Sequence, residues 1–186
     1  MTFIYIILCV AGGFCLCGAW FGLCALCSSV LKGRGEAARL APLLGGGPFA
    51  AVLISVFASA AVVNLSTERR RLFGKELFWW VLGGAFMEVP QRLFMQGALF
   101  AALRYFAVPN AGLWAVFCNG AVWCFGIIAQ AAIAKQRPCK ALFAELCASF
   151  IFSVGVGFAY RQTGIFALCM AAHAAERVVG NAMAEK

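Results

Sequence analysis

This 186-residue chain has seven carboxylate side chains, all glutamate, and a single histidine, His173; it has no aspartate. One glutamate stands in "FMEVPQRLFMQG", residues 86–97, where Glu88 and Arg92 lie four residues apart with Pro90 between them. Gln96 continues the spacing, so Glu88, Arg92 and Gln96 form one polar stripe on a helix. Near the C-terminus His173, Glu176, Arg177 and Asn181 share a face of another helix. Between the two, in "LWAVFCNGAVWCFG", Asn119 is polar with no loop nearby. Ionisable groups inside apolar helices are rare, face the protein interior and mark function by default. If the three helices converge, carboxylate, guanidinium, carboxamide and imidazole satisfy one another around a wet or metal-binding pocket. If they do not, Glu88 with Arg92 and His173 with Glu176 and Arg177 are two separate networks that hold membrane helices together.

Counting excludes several chemistries. Without aspartate there is no aspartyl dyad, and one histidine cannot supply an H-E-x-x-H zinc helix. No G-x-S stretch offers a serine nucleophile of the rhomboid kind. What is left must work with glutamate, one histidine, asparagine and a metal if one binds. Glu145 lies five residues beyond Lys140, an interfacial position that explains it without a role. Most of the ten cysteines lie inside apolar runs and read as small hydrophobes. Cys24-x-x-Cys27 puts two thiols on one helical face but has no further ligand cluster nearby.

The elements that must position these groups are apolar helices. Hydrophobic residues make up 64% of the chain and charged ones 12%, a balance that cannot coat a soluble domain. The +8 charge sits mostly in short basic clusters between apolar runs, a topology signal and not a nucleic-acid surface. Six runs suit membrane helices: roughly 2–31, 47–66, 76–106, 111–134, 140–160 and 163–183. The expected fold is all-α, one polytopic transmembrane helical bundle over residues 1–186 with about six spans. The overlong first and third runs leave room for a seventh or eighth. The first run has no basic start and no A-x-A site, and reads as a retained span. The third would extend about 46 Å as one helix, so it must tilt, protrude or break, and Pro90 is the place to break. Loops two and four carry Arg69, Arg70, Arg71, Lys75, Lys135, Arg137 and Lys140; loops one, three and five carry Lys32, Arg34, Arg39, Arg104 and Arg161. The bias puts both termini in the cytoplasm.

The polar stretches resemble the motifs of a known family. "MEVPQRLFMQGAL" is similar to the E-E-x-x-x-R motif of the CPBP family of CAAX proteases and bacteriocin-processing proteins, also called Abi, whose eukaryotic members are type II CAAX prenyl endopeptidases. "TGIFALCMAAHAAERVVGN" resembles the family's last motif, a histidine followed four residues later by Asn or Asp. "PNAGLWAVFCNGAVW" occupies the place of the F-x-x-x-H motif. The likeness covers about residues 76–183. It aligns Glu88 with the second glutamate, Arg92 with the arginine and His173 with the last histidine. Met87 stands where the first glutamate belongs, Asn119 where the central histidine belongs, and Arg177 where the final Asn belongs.

The resemblance implies an intramembrane endopeptidase in the bacterial cytoplasmic membrane, with membrane lipid and a membrane-associated peptide or protein as partners and no nucleic acid. Catalytic candidates are Glu88, Arg92, His173 and Asn119. Glu88 would be the base, held ionised by Arg92, while His173 and Asn119 donate to the oxyanion. A divalent metal such as zinc would use His173, Glu88 and Glu176. The substitutions equally admit a hydrolytically silent relative that binds such substrates. From a different class, a compact bundle of this composition is similar to the small-molecule-binding subunit of a membrane transporter.

Overall fold

A computed structural model describes residues 46–66 and 69–184. The first apolar run, with Cys24 and Cys27, and the first basic loop lie outside the described residues. The rest is helical, with no strand among the described residues: α1 (Gly47–Ser66), α2 (Gly74–Glu88), a π-helical stretch (Val89–Gln96), α3 (Gly97–Tyr105), α4 (Ala111–Ile133), α5 (Lys140–Thr163) and α6 (Phe166–Met183). The turns between them carry expected chemistry. Gly164 ends α5 in the left-handed region at φ 67°, a conformation that costs glycine nothing because it has no Cβ.

α2, the π-helical stretch and α3 run on from one another, and the anticipated break takes an unusual form. Pro90 has no N–H to give the Phe86 carbonyl; the Val89 N–H donates to that carbonyl instead. From Val89 onward the helix widens to π geometry. Such insertions change which side chains face inward, and they concentrate at functional sites. Here Gln91, Arg92 and Gln96 are all buried.

α5 is the central element. It packs against α1 and α4, and α1 also packs against α6. Close approach of α1 and α5 depends on small residues, since a Cβ at Gly155 would overlap Ser55 Oγ. That hydroxyl donates to the Ala51 carbonyl of its own helix. Val52, Val56, Phe152, Val156, Ala159, Leu168, Cys169 and Ala172 form the apolar core between α1, α5 and α6. Asn181 ties the end of α6 to the segment before α2: its Oδ1 accepts from the Leu72 N–H (2.7 Å) and its Nδ2 donates to the Leu72 carbonyl (3.1 Å).

Beside this apolar core the interior also holds charge, while large apolar side chains face outward. Among the described residues the two largest fully buried side chains are Arg92 and Glu88, while Phe94 is 70% exposed and Phe125 68%. α1, α4 and α5 are long and apolar enough to cross a membrane. Exposed Trp79 near the start of α2, with Tyr105, Phe106 and Trp114 around the opposite turn, suits the aromatic belts of a bilayer interface. These features point to a membrane protein. α2 with its continuation, and α6, fall short as uninterrupted apolar spans because they carry the polar groups of the interior.

Candidate functional site in the bundle interior

Arg92 is the hub. Its Nε donates to Glu88 Oε2 at 2.8 Å, and both side chains have no exposed surface. Its Nη1 donates to Gln96 Oε1 at 3.1 Å and lies 3.4 Å from Ser153 Oγ on α5. Asn119 on α4, its amide oxygen turned toward the guanidinium, accepts from Nη1 at 2.9 Å while its nitrogen donates to the Gln91 carbonyl at 3.0 Å. The reverse orientation would set an NH2 group against the guanidinium with no acceptor between them. Gln91 Nε2 donates to Ser153 Oγ (2.9 Å), and Gln96 Nε2 donates to the Gly157 carbonyl (3.2 Å). Arg92 Nη2 is buried without a hydrogen-bond partner among the described residues.

The second carboxylate oxygen of Glu88 reaches α6: Oε1 lies 2.7 Å from His173 Nδ1. Arg92 is always charged, so Glu88 is its natural counter-ion and accepts from Nδ1–H. In a neutral imidazole that contact places the proton on Nδ1 and leaves Nε2 as the acceptor. The ring rests on Phe152, with centroids 4.8 Å apart. Gly84 on α2 makes room for it, because a Cβ there would come 2.9 Å from His173 Cδ2 and 3.0 Å from Arg177 Cγ.

His173 borders a cavity of about 70 Å³ together with Ser59, Met87, Gln91, Trp123, Glu145, Glu176 and Arg177. That is room for a few waters, and the wall is polar enough to hold them. The cavity lies toward the end of the bundle where α1 and α6 finish and α2 and α5 begin, beside Arg69.

All four anticipated catalytic residues are thus within one hydrogen-bonded network, but they stand differently toward the cavity. Glu88 does not line the cavity, and its oxygens are engaged by Arg92 and His173. Asn119 is fully buried and supports Arg92; it is not aimed at the cavity. His173 alone of the four meets the cavity. The anticipated metal set does not fit this arrangement. Glu176 turns to Ser59 Oγ (3.5 Å) and Arg177 Nε (3.6 Å), and no three His, Cys, Asp or Glu side chains among the described residues come together as ligands. The Arg177 guanidinium stacks on Trp80 at 4.8 Å.

Sequence reasoning missed Gln91, Ser153 and Glu145. Gln91 lies three residues after Glu88, a spacing that shares a helix face, so a signal was present. Ser153 gave none, because one serine in an apolar helix commonly bonds its own backbone. Glu145 reads as interfacial by position, yet it borders the cavity.

Gly157 supplies a test of the hub. A Cβ there would meet Arg92 Nη1 at 2.9 Å, Gln96 Oε1 at 3.0 Å and Val116 Cγ1 at 3.1 Å. Gly157→Ala is expected to cost about 1–3 kcal/mol through overpacking, measured by unfolding in mixed micelles. Gly126 meets nothing within 4 Å, so Gly126→Ala is the control and should cost nothing measurable.

The fold and site together define a class: a helical membrane protein with a charged, hydrogen-bonded interior and one histidine presented to an internal cavity. The chain matches no family model, no curated protein and no solved structure.

Proposed function

We propose that the chain is an intramembrane peptidase-like protein of the CAAX protease kind. It would cross the bacterial cytoplasmic membrane about six times and act on a membrane-associated peptide or protein. The observation that carries this reading is the 2.7 Å contact between Glu88 and His173, which joins the first and last motifs of the resemblance and leaves the imidazole beside the cavity. Among the described residues, the end nearest the cavity carries Arg69, Arg70, Arg71, Lys75, Lys135, Arg137 and Lys140, against Arg104 and Arg161 at the other, to which the sequence adds Lys32, Arg34 and Arg39 of the first loop. By the positive-inside rule the cavity then faces the cytoplasm.

In this scheme His173 is the general base. Its Nε2 takes a proton from a cavity water as the water oxygen attacks the peptide carbonyl carbon. The C–N bond then breaks, and Nε2 returns the proton to the leaving amine. Glu88 accepts from Nδ1–H throughout and offsets the positive charge that develops on the ring. Arg92 fixes Glu88 and never meets substrate.

A second reading, in which the cavity binds a peptide without cutting it, is favoured by Met87 at the first-glutamate position and by the engagement of both Glu88 oxygens. The two separate when detergent-purified protein meets a library of membrane-tethered, photo-crosslinkable peptides. Cleavage by wild type that is lost in His173→Ala supports the peptidase. Cross-linking into the cavity without cleavage supports the binder. Neither result from folded protein would sink both.

A further inference from the structure

We infer that the basic end of the bundle holds a site for a phosphate group, formed by Arg69, Arg70 and Arg177 and filled by the headgroup phosphate of an anionic lipid or by free phosphate. The inference is independent of peptide hydrolysis. Beside the His173 cavity, and sharing Arg69, Glu145 and Arg177 with it, lies a larger open cavity of about 530 Å³. The three arginines, Trp80 and Asn181 line it, and among the described residues Glu145 is the one acidic side chain in its wall.

The site is built and not an accident of long side chains. Arg177 is held from below by the Trp80 ring at 4.8 Å, and its Nε, without a hydrogen bond among the described residues, pairs with Glu176 at 3.6 Å. The Arg177 side chain lines the open cavity, where an anion gives its terminal N–H groups an acceptor. Arg69 takes part in no ion pair among the described residues, and Arg70 reaches Glu76 only through an exposed contact of 2.9 Å. Such exposed pairs are weak and exchange readily. The two hydrogen bonds between Asn181 and Leu72 hold the arginine segment against α6, so the third cation stays near the other two. Arginine suits this ligand because its planar fork matches phosphate oxygens.

The position favours a lipid. Trp80 and neighbouring Trp79 mark the interfacial depth, and Arg71, Lys75, Lys135, Arg137 and Lys140 add positive charge around this end. Basic pockets between membrane helices on the positive side take anionic headgroups.

The test uses the full chain in an uncharged detergent, titrated with short-chain phosphatidylglycerol, short-chain phosphatidylcholine or inorganic phosphate and read by tryptophan fluorescence. Phosphatidylglycerol is expected to bind more tightly than phosphatidylcholine. Arg69→Gln with Arg70→Gln should weaken it by about fivefold per charge removed, and Arg177→Gln by at least as much. Arg104→Gln, at the opposite end, should leave binding unchanged. Phosphatidylglycerol binding without a response to inorganic phosphate assigns the site to lipid; saturable inorganic phosphate binding lost in the same variants assigns it to free phosphate. Equal binding of the two lipids with no response to phosphate overturns the site, as does retention of wild-type affinity in the Arg69/Arg70 double variant. An equal loss in Arg104→Gln reduces the effect to general charge attraction and also overturns it. Should Arg177→Gln fail to fold, the double variant in the exposed segment carries the test alone.

Discussion

Arg92→Met should destabilise the protein by about 3–5 kcal/mol, the cost of breaking a buried ion pair from one side. The guanidinium has no exposed surface and holds Glu88 Oε2, Gln96 Oε1 and the Asn119 amide oxygen at once. Methionine fills much of the volume but returns none of those hydrogen bonds, leaving a carboxylate and two amide oxygens facing apolar surface. Unfolding in mixed micelles measures the loss. Adding Glu88→Gln to Arg92→Met removes the stranded charge, and the double variant should recover about 1–3 kcal/mol relative to additive losses. A loss below about 1 kcal/mol in Arg92→Met would mean that water reaches the guanidinium, and the site as described would be wrong.

The second large effect concerns reaction rate. If the Glu88–His173 couple is a general base, His173→Ala should lower peptide cleavage by about 10²–10⁴-fold. Glu88→Gln should approach that loss while leaving the imidazole in place. The amide can donate to Nδ1 and so favours the other tautomer, with the proton on the nitrogen that must accept. Glu88→Gln also strips Arg92 of its counter-ion, so its rate must be compared on folded protein only. The informative control is Asn119→Ala, which removes a support of Arg92 but no group that meets the cavity. It should reduce stability far more than the rate per folded molecule. A rate loss in Asn119→Ala equal to that of His173→Ala would return Asn119 to the substrate and remove it from its supporting position.

Much of the helical layout was legible in the chain. The apolar runs beginning near residues 47, 76, 111, 140 and 163 coincide with helices that begin at 47, 74, 111, 140 and 166, because a 20-residue apolar segment can satisfy its own backbone only as a helix. The number of membrane crossings was less legible. Among the described residues three helices meet the length and composition of a span, while the segments bearing Glu88, Arg92, His173 and Glu176 are diluted by the groups that make them interesting. Pro90 announced a break but not its kind. A π-helical widening and a simple kink both answer a missing N–H, and neighbouring helices select between them.

The residue types by themselves determined which chemistry was open: one imidazole, no aspartate, and charged groups embedded in apolar runs that had to find one another. Their spacing along each helix put Glu88 with Arg92 and His173 with Glu176 on shared faces, since helical periodicity is a local property. Which face meets which is not local. Only the packing of α5 between its neighbours, with Gly157 bare enough to admit Arg92 and Gln96, turned Glu88 inward to hold His173 and left the imidazole to face the cavity. Asn119 lies behind Arg92 and Glu145 beside the cavity for the same reason. Depth in a bundle depends on side chains from other helices, and no run of neighbouring residues encodes it.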